Sequence, residues 1–72
     1  MSENILARIN GEELGRAVLK LPDVTAHEAE TVVAEFNAAN VGKVRVLFRK
    51  FHHKRGRSSH TFWLAARAER IE

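Results

Sequence analysis

"TAHEAETVVAEFNAAN", residues 25–40, decides how the rest of the chain is read. Thr25, followed three residues later by Glu28, has the spacing of a capping box, in which two side chains satisfy backbone N–H groups at a helix start. Val24, before the cap, can staple onto Ala29. Ala29, Val32, Val33 and Phe36 then recur at i, i+3, i+4 and i+7, one stripe of a 3.6-residue period. Glu28, Glu30 and Glu35 stay largely off that stripe, and the first two lie where a helix dipole favours anions. Asn40 in the left-handed conformation, with Gly42 soon after, supplies a stop. The pattern predicts one main α-helix at about 26–39.

Downstream the period changes to two. In "KVRVLFRKF", residues 43–51, Val44, Val46 and Phe48 point one way, and Arg45, Leu47, Arg49 and Phe51 the other. In "HTFWLAARAERI", residues 60–71, Phe62, Leu64, Ala66 and Ala68 alternate with Thr61, Trp63, Ala65, Arg67 and Glu69. About eight polar residues join the runs, with Gly56 as the natural bend, so a long antiparallel hairpin with an extended loop is expected. The helix stripe would lie on Val44, Val46, Phe48, Phe62 and Leu64.

Upstream, "NILARINGEELGRAVLKL", residues 4–21, admits two readings. Asn10-Gly11 is a strong two-residue turn signal between strands. Alternatively Asn10 caps a helix with Glu13 at the third position, and Leu14, Ala17, Val18 and Leu21 form its stripe. Pro22 ends either one. A first strand at about 4–9, then a second strand or a short helix, is the expectation. The fold class is α+β: one main helix on an antiparallel sheet of three or four strands that includes the C-terminal hairpin.

Seventy-two residues make one small domain, 1–72. So short a chain buries only about 60% of its unfolded surface. Ten of its apolar residues are alanine, so the core is thin and a homodimer is expected. No cysteine is present, so neither disulfides nor thiolate metal sites arise. No apolar run is long enough to span a membrane, and "MSENILARIN" lacks the pattern of a signal peptide. A soluble, cytoplasmic protein without a membrane partner is expected.

The net charge of +3 hides a split. Residues 1–42 carry three cations and seven acids, a sum of −4, while residues 43–72 carry nine cations and two acids, a sum of +7. Such a split suits an anionic partner, or an acidic half and a basic half that attract each other within the fold. The densest part is "KFHHKRGRSSH", residues 50–60, with four cations, three histidines and no acid.

Arginines interleaved with aromatic rings suit nucleic acid. Guanidinium groups bind phosphates bidentately, and rings stack on unpaired bases. The candidate contact residues are Arg45, Arg49, Lys50, Phe51, His52, His53, Lys54, Arg55, Arg57, His60, Trp63 and Arg67. Of these Lys54, Arg55 and Arg57 are the main electrostatic contacts, and Phe51 and Trp63 the candidate stackers. DNA or RNA is the first expected partner. The alternative is a small regulator or inhibitor, of the kind encoded by phages or mobile elements, that docks the same hairpin on an acidic protein surface.

Catalysis has weaker support. His52, His53 and His60 could move protons, yet no carboxylate or activated serine stands near them in sequence. Adjacent cations disfavour a metal at "HHKRGRSSH". No Walker loop, dinucleotide fingerprint, zinc-finger spacing or RNA-recognition-motif signature is present. Neither an enzyme activity nor a cofactor is expected.

Overall fold

A computed structural model describes residues 5–71. Asn10 does cap a helix: its side chain accepts the Glu12 N–H at 2.8 Å, and α2 runs Gly11–Leu19. A single turn, α1, Ile5–Arg8, precedes it. Of the two upstream readings the short helix holds, and the expected strand at about 4–9 is replaced by α1, its first position lying outside the described residues. Three strands follow: β1 Thr31–Ala38, β2 Gly42–Arg55 and β3 Ser58–Arg70, paired as an antiparallel meander in the order β1-β2-β3. The class is α+β, mostly strand, with the long C-terminal hairpin that the alternation predicted.

The helix expected at 26–39 does not form; most of that stretch is β1. Its supposed cap is used otherwise. The Asp23 carboxylate accepts both the Thr25 N–H (3.0 Å) and the Thr25 hydroxyl (2.8 Å), and Ala26 and His27 N–H close a turn on the Asp23 carbonyl. These hydrogen bonds hold the Asp23 carboxyl below its ordinary pKa. A capping box contributes about 1 kcal/mol. Against it stand β-branched and aromatic residues, Thr31, Val32, Val33 and Phe36, and a second periodicity hidden in the same letters. Val32, Ala34, Phe36 and Ala38 alternate on one face, and all eight β1 residues pair with β2, from Thr31↔Arg49 to Ala38↔Gly42. Gly42, at φ 106, serves the hairpin turn after β1 instead of ending a helix, and no described non-glycine residue, Asn40 included, has positive φ.

The loop expected after β2 is also strand. β2 and β3 run through the basic stretch to a two-residue turn, Gly56-Arg57, with Arg55↔Ser58 as the last pair. Gly56 takes φ 60, as the first central position of a type II′ turn requires.

That turn fixes which faces agree. Near the tip paired residues of β2 and β3 have opposite parity: Lys50↔Trp63 and Phe51↔Phe62. A β-bulge then shifts the register, since Phe48 pairs with Ala65 but Leu47 with Arg67, leaving Ala66 unopposed. Below it, even opposes even, as in Val46↔Ala68. One sheet face therefore carries Val32, Ala34, Phe36, Val44, Val46, Phe48, Trp63, Ala65 and Ala68. The helices cover it, and Val44, Val46 and Phe48 are fully buried with Ile5, Ile9, Ala38 and Trp63 beside them. Phe62 and Leu64, expected in this core, lie on the opposite face. No helix among the described residues is long and apolar enough to cross a membrane.

Candidate functional site

Parity groups Trp63 with Arg67; the bulge separates them. Trp63 is only 7% exposed, its indole N–H donates to the Pro22 carbonyl at 2.9 Å, and its ring meets His27 edge-on at 5.5 Å. The structure thus places it in the core, away from the face that a ligand could reach. Lys50, its cross-strand neighbour, is half-buried and its ammonium donates to the His27 carbonyl.

The other face is open. Arg45, Leu47, Arg49, Phe51 and Arg67 share it with Val33, Phe62 and Leu64. Phe51 and Phe62 sit directly opposite each other, ring centroids 5.2 Å apart at 43°, and are 42% and 41% exposed. Val33 and Leu64 are as open, at 49% and 48%. A shallow hollow of about 290 Å³ lies between Arg49, Lys50, Phe51, Leu64 and Ala66. Phe62, Leu64 and Val33 were missed as members of this face. The signal for Phe62 was the Gly56-Arg57 turn, since a two-residue loop fixes Phe51 against Phe62.

Charge is distributed unevenly over the face. Arg45 bonds Glu35 at 3.0 Å and Glu69 at 3.2 Å. The Glu35 hydrogen bond foremost, then its charge and the bond to Glu69, raise the Arg45 pKa above its ordinary value. This is where acidic and basic halves of the chain meet. Among the described residues no other cation of residues 43–70 forms an ion pair. Arg49 and Arg67 are exposed and unpaired on the same face.

Beyond Arg49 the sheet narrows. β1 begins at Thr31↔Arg49, so residues 51–62 form a two-stranded ribbon without a third strand. Five residues per strand project about 16 Å at roughly 3.3 Å each. Isolated hairpins are marginal in water. The Phe51–Phe62 pair, at about 0.5–1.5 kcal/mol beyond its burial, stiffens the base, as does a 2.6 Å hydrogen bond between Thr61 Oγ1 and His52 Nδ1. Alternation sends His53, Arg55 and His60 to the open face and His52 and Lys54 to the other, with Arg57 in the turn. All residues from 51 to 60 are exposed. The ribbon is therefore cationic on both faces and at its tip.

Among the described residues, no group of three His, Cys, Asp or Glu side chains could hold a metal ion. No known family, curated protein or solved structure matches the chain.

Proposed function

We propose that the chain is a small nucleic-acid-binding protein that grips the phosphate backbone with its basic ribbon. One observation carries the reading: a projecting two-stranded ribbon whose cations, Lys54, Arg55 and Arg57, have no acid partner among the described residues, joined at its base to exposed Phe51 and Phe62. A ribbon basic on both sides fits between phosphate rows, as β-ribbons do in duplex grooves. Arg49 and Arg67 continue the phosphate track along the open face. The Phe pair offers ring surface on which an unpaired base can stack, typically for about 1–3 kcal/mol. Trp63 has no part in this. Lys50 contributes charge only, since its ammonium is held by His27.

The test is fluorescence anisotropy of labelled single-stranded and duplex DNA and RNA against salt. The expected result is micromolar or tighter binding at low salt, with log K falling linearly in log salt. Replacing Lys54, Arg55 and Arg57 together by alanine lowers that slope by about 2–3, at roughly 0.7–0.9 per lost phosphate contact. Absence of binding at low salt overturns the reading.

A second reading has its own observation. Val33 and Leu64, half exposed beside Arg49 and Arg67, resemble the apolar-plus-arginine composition of a protein interface. A regulator docking this face on an acidic protein would bind no oligonucleotide. The homodimer expected from so thin a core stands as a proposal of its own, with β1 as its place.

A further inference from the structure

β1 is an edge strand whose outer side pairs with no strand among the described residues. The Lys50 N–H donates to the Glu30 carbonyl at 2.9 Å, which sets the alternation of the ladder. Ala38, Phe36, Ala34 and Val32 point their backbone groups at β2; Thr31, Val33, Glu35 and Asn37 point theirs out of the edge. Edge strands usually carry lysine, proline or a bulge against pairing with another chain. "TVVAEFNA" has none of these, and its one charge, Glu35, is held by Arg45.

The sheet's cover is also incomplete on this side. α2 has no fully buried residue, and Val32, Ala34 and Phe36 are only half-buried beneath it. A groove of about 680 Å³ runs between residues 32–37 and the Glu13, Arg16, Ala17 and Lys20 side of α2. α2 runs antiparallel to β1. The Glu13 carboxylate accepts the Ala39 N–H (3.0 Å) past one end of the strand, and Pro22 meets Trp63 near the other. The groove wall is thus acidic at one end, Glu13, and basic toward the other, Arg16 and Lys20.

We propose that β1 pairs antiparallel with β1 of a second copy, about a two-fold axis through Ala34 normal to the sheet. The register is Thr31↔Asn37, Val32↔Phe36, Val33↔Glu35 and Ala34↔Ala34. It satisfies the outward backbone groups of Thr31, Val33, Glu35 and Asn37 and sets Val32 of each copy against Phe36 of the other on the covered face. An axis through Glu35 would oppose two carboxylates, and one through Val33 would run Asn37 past the start of β1. The axis also lays the two α2 helices antiparallel, so the Glu13 end of one meets the Lys20 end of the other. That charge complementarity, with the half-covered groove, names a second copy as the occupant. The product is one six-stranded sheet with all helices on one side.

This inference is independent of nucleic-acid binding and is tested without it. The chain has no cysteine, so Ala34→Cys introduces a single thiol. At a non-hydrogen-bonded antiparallel pair the Cα atoms lie about 4.5 Å apart, within disulfide range. Mild oxidation by oxidised glutathione is expected to convert A34C to a covalent dimer, while Ala66→Cys on β3 stays monomeric. Val33→Pro removes an N–H that points out of the sheet, so it is expected to keep the wild-type circular dichroism and sediment as a monomer. The proposal is overturned if A34C cross-links no faster than A66C, or if a folded V33P variant remains dimeric. The cysteine comparison decides whether or not the proline variant folds.

Discussion

Trp63 shows how one side chain exchanges roles when register is known. Its letter, between arginines and next to Phe62, suits a stacking surface; its place is under α1 and the Pro22 carbonyl. The core holds few large side chains; among the described residues only Phe48, Val44 and Val46 are wholly buried. Truncating a buried Trp to alanine costs about 3–5 kcal/mol. Here it also leaves the Pro22 carbonyl without its donor. Small domains sit at the low end of the usual 5–15 kcal/mol. Trp63→Ala is therefore expected to be largely unfolded at room temperature, as read by circular dichroism and urea titration. A cooperative transition within about 0.5 kcal/mol of wild type would show that Trp63 is not core. Arg45 is the opposite case: it carries formal charge on the open face, but Glu35 and Glu69 already claim it.

At the scale of elements, the chain was legible where two signals agreed and misread where they competed. Asn10 with the Leu14, Ala17, Val18, Leu21 stripe made α2 one of two open readings; cap and period agree on the helix that forms, while the Asn10-Gly11 turn signal competed with it. Alternation gave β2 and β3, because it holds over more residues than chance allows a helix. Residues 26–39 fit both periods, since Val32 and Phe36 belong to a helical stripe and to a strand face alike. Only pairing with β2, a long-range contact, separates them, and Thr25 was already claimed by Asp23. The bulge at Ala66 was equally hidden, because two adjacent alanines carry no period. It nevertheless decides that Trp63 points in while Arg67 points out. Deleting one of Ala65 and Ala66 removes the unopposed residue and restores a single register along β3. That keeps Phe48 against alanine, Leu47 against Arg67 and Val46 against Ala68. The shortened chain is expected to retain Trp fluorescence and a cooperative melt.

Over the whole molecule, a body 42 Å long, the charge split seen in the sequence is uneven in space. Acids gather in the 23–30 connection and the Arg45 cluster, α2 sets Glu12 and Glu13 against Arg16 and Lys20, and the ribbon with Arg49 and Arg67 carries cations without an acid. The basic region was legible from composition, because net charge survives any error in secondary structure. Its form was not, since a loop and a rigid two-stranded ribbon share the same letters until the turn at Gly56-Arg57 is recognised. The apolar half of the face, Phe62, Leu64 and Val33, depended on that register as well. The central claim is that the ribbon and the open face, rather than the helices, meet a nucleic acid. The most direct measurement is amide and indole chemical-shift mapping during titration with a single-stranded oligonucleotide at low salt. The expected result is shifts confined to residues 49–64 and Arg67, strongest at Phe51, Phe62 and the Lys54–Arg57 tip, with α2 and the Trp63 indole N–H unmoved. Shifts centred on α2, or none at low salt, would contradict it.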